Sequence, residues 1–81
     1  MTRDTVREMI ARNLADVLDE DHIDLVDQTR ADEVDGWDSV NHVKLIIAIE
    51  SEMGIRFESD EITAPENVGA LVDLIISKKA A

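Results

Sequence analysis

The sequence contains no cysteine and few basic residues, eight against nineteen acidic ones. Without cysteine the chain forms no disulfide and offers neither a thiolate metal ligand nor a cysteine nucleophile. Any thiol that acts on this protein must therefore come from an attached group. The formal net charge of −11 opposes binding to nucleic acid phosphates or to an anionic membrane, and it favours partners with basic surfaces.

Long apolar runs are absent as well. No stretch approaches the roughly 18–20 apolar residues of a membrane span. The start, Met1-Thr2-Arg3-Asp4, leads into a charged amphipathic segment and does not resemble a signal peptide. We therefore expect a cytoplasmic protein. Apolar residues still make up 44% of the chain, which is enough for one small packed domain, 1–81.

Apolar periodicity predicts three long helices. The first runs from about residue 3 to about residue 20, the second from 39 to 53 with Gly54 as its terminator, and the last from 68 to about 79. The core-facing positions are predicted to be Val6, Met9, Ile10, Leu14, Val17 and Leu18, then Leu45, Ile46, Ile49 and Met53, and finally Val68, Leu71, Val72, Ile75 and Ile76.

The segment 21–37 lacks this periodicity and is dense in acidic residues, so we expect a long first loop. Its aspartates do not have the spacing of an EF-hand, and no calcium site is expected. A short helical turn, 59–62, precedes Pro65. The predicted fold is an all-α four-helix bundle with three main helices and one short helix. Three apolar residues are expected to hold the loop on the core: Ile23, Leu25 and Val26.

A serine hydroxyl lies where the second helix begins, in the stretch Gly36-Trp37-Asp38-Ser39-Val40. Gly36 allows a turn, and the side-chain oxygens of Asp38 and Ser39 can accept hydrogen bonds from the first turn of a helix. The aligned peptide dipoles and free N–H groups of a helix start favour negative charge. A phosphate esterified to Ser39 is therefore electrostatically favoured.

Asp38-Ser39-Val40 resembles the Asp-Ser-Leu attachment motif of the acyl carrier protein family, and the resemblance extends over nearly the whole chain. Val40 stands where leucine is commoner and keeps the apolar character. The resemblance implies that a phosphopantetheinyl transferase moves 4′-phosphopantetheine from coenzyme A to Ser39. The arm would then hold acyl groups as thioesters for enzymes of fatty acid, polyketide or related biosynthesis. The initiating methionine favours a freestanding protein, and we expect a monomer that is not itself an enzyme.

The resemblance also implies roles for the neighbours of Ser39. Asp38 would position the helix start and engage a basic group on the transferase. Ile62, in the region of the short third helix, is a candidate for contact with the arm or its cargo. Trp37 is expected to anchor the loop to the bundle, with contact to the arm as the alternative.

A second apolar stripe descends the second helix from Ser39 through Val40, Val43 and Ile47, with Glu50 beside it. Burial against neighbouring helices and exposure to partner enzymes both fit this pattern, and the resemblance favours a docking surface. Two positions that are typically acidic in carriers of fatty acid synthesis are Asn41 and Lys44 here, which indicates a specialised carrier.

Other classes of function also fit parts of the sequence. A peptidyl or aminoacyl carrier would share the fold and Ser39, whereas an acidic helical interaction module would lack the modification. A serine hydrolase would need a base, and His42 lies three residues after Ser39. However, no Gly-x-Ser-x-Gly elbow surrounds that serine and no third group is evident. Two histidines without cysteine predict no metal site.

Overall fold

Four α-helices form the fold in the computed structural model, which describes residues 2–80. They are α1 (Arg3–Leu18), α2 (Ser39–Met53), α3 (Ser59–Thr63) and α4 (Val68–Ala80). A 3₁₀ turn, Ala31–Glu33, lies within the long loop that joins α1 to α2. Helix α1 packs against both α2 and α4. The all-α bundle with three main helices and one short helix is thus confirmed.

The core lies between the three long helices, and the stripes predicted from periodicity fill it. Each large apolar side chain that is fully withdrawn from water contributes about 1.5–3 kcal/mol to folding. Val17, in the last turn of α1, is only half-buried and was expected to be a core residue. Within the described residues, seven side chains have no exposed area: Ile10, Leu14, Leu45, Ile49, Val68, Val72 and Ile75.

Helix α1 ends two residues before the predicted boundary. Asp19 adopts the left-handed conformation, with φ of 57°, and its N–H group points back to the carbonyl oxygens of Ala15 and Asp16. Aspartate tolerates this conformation better than most residues do. Gly54 takes the same conformation, with φ of 68°, and ends α2 where the sequence predicted.

Apolar side chains and backbone hydrogen bonds both hold the first loop on the bundle. Leu25 is buried and Ile23 packs against the core, as predicted, but Val26 is 58% exposed and the prediction for it is wrong. Val26 lies in a tight turn, in which its N–H group donates to Thr29 Oγ1 at 3.0 Å. The carbonyl oxygens of Asp27 and Thr29 accept the N–H groups of Gly69 and Val68 at 2.8 and 2.9 Å. The loop thereby satisfies two donors that the start of α4 would otherwise leave free.

The side chain of Asp27 lies between two arginines of α1. Its carboxylate oxygens are 2.9 Å from Arg3 Nη2 and 3.0 Å from Arg7 Nη1. These hydrogen bonds, that of Arg3 first, lower the pKa of Asp27 below its ordinary value of 3.8. A carboxyl group whose pKa is lower in the folded state stabilises the fold above its unfolded pKa. That contribution is lost as the pH falls through the folded pKa.

We therefore expect acidification below about pH 4 to remove the stabilisation that Asp27 provides. The Asp27→Asn variant should be less stable than the wild type at neutral pH and should lose less stability on acidification. The expected change in stability is modest, because Asp27 and its two arginine partners are partly exposed and salt screens their charges. Urea unfolding at a series of pH values measures it, with Asp21→Asn as the control for an exposed aspartate. If the free energy of unfolding fell equally with pH in the wild type and in Asp27→Asn, Asp27 would not be the group responsible.

Candidate functional site

Ser39 is the first residue of α2, and its side chain is exposed. Asp38, not Ser39, caps the helix: its Oδ1 accepts the N–H group of Asn41 at 2.9 Å, and its carbonyl oxygen accepts that of His42 at 2.8 Å. Among residues 2–80, no group forms a hydrogen bond with the Ser39 hydroxyl. The hydroxyl is therefore free to react.

The start of α2 also presents free backbone donors. The N–H groups of Ser39 and Val40 have no acceptor within the described part of the chain, since the cap serves Asn41 and His42. Free donors and the helix dipole together favour a negatively charged group at this end. The geometry thus fits a phosphate joined to the Ser39 oxygen.

A tight turn at Gly36 delivers the chain to this helix start. Gly36 has a φ of 87°, a backbone conformation that residues other than glycine rarely adopt. A Cβ atom there would also lie 3.3 Å from a Leu18 methyl group. The Gly36 carbonyl oxygen accepts the N–H group of Asp38 at 2.9 Å and the side-chain amide of Asn41 at 2.7 Å. The turn and the start of α2 are therefore one hydrogen-bonded unit.

Trp37 is buried, as expected of a residue that anchors the loop, and its indole is held by His42. Trp37 Nε1 donates to His42 Nδ1 at 3.0 Å, and His42 Nε2 lies 2.7 Å from the carbonyl oxygen of Ile62. An indole N–H group can only donate, so Nδ1 accepts and the ring proton is on Nε2. Both ring nitrogens are engaged with groups other than Ser39, which removes the geometric basis for a Ser/His hydrolase.

A cleft of about 440 Å³, which we call the Ser39 cleft, opens beside the serine. It lies between the 3₁₀ turn of the first loop, the start of α2 and helix α3, and it brings Trp37 and Ile62 to the same opening as Ser39. Ile62 is half-buried, with one side against the core. The residues predicted around Ser39 are thus neighbours in space.

A row of exposed apolar side chains runs down α2 from the serine. Val40 is 65% exposed, Val43 47% and Ile47 58%, so burial of this stripe is excluded. We call these three residues the α2 patch. Lys44 is exposed on the same helix.

Glu50 has a structural contact that the sequence did not reveal. Its Oε2 accepts the N–H group of Phe57 at 2.9 Å, which fixes the segment between α2 and α3. The side chain is half-buried at the lower end of α2. A part in docking stays a prediction for this residue, with one carboxylate oxygen already engaged.

The described residues hold neither a metal-binding cluster nor a membrane-spanning helix. Residues 2–80 contain no group of three histidine, aspartate or glutamate side chains placed to hold a metal ion. Over the same residues, no helix combines the length and the apolar character needed to cross a membrane.

Comparisons with known proteins agree with the fold. The acyl carrier protein of Petrotoga mobilis is 35% identical over an alignment of 80 residues, which covers 96% of this chain and 92% of the relative. A solution NMR structure of holo acyl carrier protein from Geobacter metallireducens matches with a TM-score of 0.83 at 35% identity. That match covers 93% of this chain and 86% of the other. No family model matches the chain.

Proposed function

Because the chain belongs to the acyl carrier protein family, we propose that Ser39 bears a 4′-phosphopantetheine arm that holds acyl groups as thioesters. One observation carries the choice of residue. Ser39 combines an exposed, unbonded hydroxyl with two free backbone donors at the start of α2. The similar structure from Geobacter metallireducens is that of a holo acyl carrier protein. In this cysteine-free chain the arm supplies the thiol that the protein lacks.

Attachment uses the Ser39 hydroxyl as the nucleophile within a transferase. A bond forms between Oγ and the phosphorus that carries pantetheine, and the phosphorus–oxygen bond to the adenosine bisphosphate of coenzyme A breaks. The hydroxyl proton passes to a base on the transferase. Asp38 holds the first turn of α2 in place and offers a carboxylate to a basic group of the transferase. The carrier itself contributes no catalytic group to this step.

The α2 patch is the proposed docking surface for the transferase and for enzymes that load or process the acyl group. Exposed apolar rows of this kind mark interaction sites, and the charge of −11 attracts basic surfaces around them. Lys44 and Asn41 thin the acidic character of this face, which supports a specialised partner set. We propose that residues 1–81 form one carrier domain that acts as a monomer in the cytoplasm.

Truncating the centre of this surface should weaken docking without affecting the fold. We expect Ile47→Ala to raise the KM of the transferase for the carrier about tenfold, because central apolar contacts dominate interface energies. The control is Val26→Ala, which removes an equally exposed side chain, 58% against 58%, from the first loop. Equal KM values for both variants and the wild type would remove the α2 patch from the docking surface.

The decisive experiment is attachment to the wild-type chain. Incubation with coenzyme A and a promiscuous transferase should increase the intact mass by one phosphopantetheinyl group, and fragmentation should map the addition to Ser39. An interaction module would gain no mass. An aminoacyl carrier would also gain the arm but would then be loaded by an amino-acid-activating enzyme, so comparing the two classes of loading enzyme separates the cargoes.

A further inference from the structure

His42 joins the two walls of the Ser39 cleft. Its Nδ1 accepts from Trp37 Nε1 at 3.0 Å on the first-loop side, and its Nε2 is 2.7 Å from the carbonyl oxygen of Ile62 on α3. Within residues 2–80, the second contact is the one hydrogen bond that links α2 to α3. All three residues line the cleft with Ser39. The position of both walls therefore depends on one imidazole.

We propose that His42, with a single proton on Nε2, is a positioning residue that holds Trp37 and α3 around Ser39, and that a second proton on the ring releases Trp37. The physical reason is donor and acceptor matching. The indole can only donate, so it needs the lone pair of Nδ1. A proton on Nδ1 would place two N–H groups against each other, whereas the Nε2 contact with Ile62 would survive. The role of the cleft rests on the proposed function of Ser39.

The charged side chains that share a cavity lining with His42 are acidic. Asp38 at the start of α2 and Asp32 in the 3₁₀ turn line the Ser39 cleft, and Glu66 in the α3–α4 connection lines a smaller cavity that Trp37 and His42 also line. Glu61 of α3 is paired with Lys78 at 2.6 Å. No lysine or arginine of the described chain lines either cavity. The charged side chains that line these two cavities with His42 are thus carboxylates.

Four full-length chains test this inference: the wild type, His42→Gln, His42→Leu and His22→Gln. A glutamine amide can accept from Trp37 and donate to Ile62 but does not titrate, whereas leucine can do neither. His22 is the matched control because it is the other histidine and is exposed. NMR gives two readouts as the pH is lowered: exchange of the Trp37 indole proton with water, and the ring ¹⁵N signals of His42.

While the His42 ring carries one proton, we expect that proton on Nε2 and a protected Trp37 indole proton. Acidification should remove the protection in the wild type and in His22→Gln but not in His42→Gln. His42→Leu should be unprotected throughout. The His42→Gln chain retains every carboxylate near the ring, so any step that those groups cause would remain in it. A protected indole in His42→Leu, or a full pH step in His42→Gln, would overturn the proposal.

The kinetics of arm attachment test whether the hydrogen bonds of His42 affect the reactivity of Ser39. At neutral pH, kcat/KM for arm attachment should fall on the order of tenfold in His42→Leu and return to near the wild-type value in His42→Gln. Normal attachment in a folded His42→Leu chain would refute the positioning role. If His42→Leu does not fold, the pH series of the wild type against His42→Gln still decides. If the wild type accepts no arm, the proposed function fails, and the indole measurements still test the bonds of His42.

Discussion

Replacing Ser39 by alanine is expected to abolish attachment of the phosphopantetheine arm completely. Alanine leaves no oxygen at this position, so the loss is chemical and cannot be compensated by tighter docking. The intact mass of the variant should stay unchanged after incubation with coenzyme A and a transferase that fully converts the wild type. No acyl thioester should then form, because the chain has no cysteine.

The fold should tolerate this change. Asp38 supplies the cap of α2, and the Ser39 side chain is exposed, so the free energy of unfolding should change by no more than about 0.5 kcal/mol. Ser59→Ala is the matched control, since Ser59 is also exposed and is also the first residue of a helix. That variant should be modified at the wild-type rate. A mass gain retained in Ser39→Ala would place the arm on another residue.

Much of this fold was predictable because its signals are local or periodic. Recurrence of apolar residues every three to four positions located the three long helices and nearly all of their buried side chains. The sequence also placed Ser39 at the start of α2, since Gly36 and Asp38 are strong markers of a turn followed by a helix start. These features depend on residues only a few positions apart.

The misses depend on how the folded chain packs and turns, which apolar periodicity does not specify. His42 and Ile62 are twenty positions apart, so nothing in the sequence showed that one ring would bond to both the first loop and α3. Val26 looked like a core residue, but the turn that bonds its backbone to Thr29 leaves its side chain exposed. The position of His42, three residues after Ser39, was the one sequence feature that indicated a histidine beside the serine.

Alanine at Ile49 is expected to cause a large loss of stability. Ile49 has no exposed area, and truncation of a buried isoleucine costs about 2–5 kcal/mol because a cavity remains. Small domains have a total stability of roughly 5–15 kcal/mol, so the change removes a substantial fraction. Thermal unfolding should show a fall in Tm of roughly 10 °C or more for a domain of this size.

Ile47→Ala provides the matched comparison, because it makes the same chemical change two residues earlier in the same helix. Ile47 is 58% exposed, so its free energy of unfolding should change by no more than about 0.5 kcal/mol. Measured well below both Tm values, Ile49→Ala should keep the wild-type KM for the transferase, whereas Ile47→Ala should raise it. A loss of stability in Ile49→Ala alone and a raised KM in Ile47→Ala alone would distinguish the face of α2 that packs in the bundle from the face that contacts partners. Equal losses of stability would mean that Ile47 packs in the core, and the α2 patch would then lose its central residue.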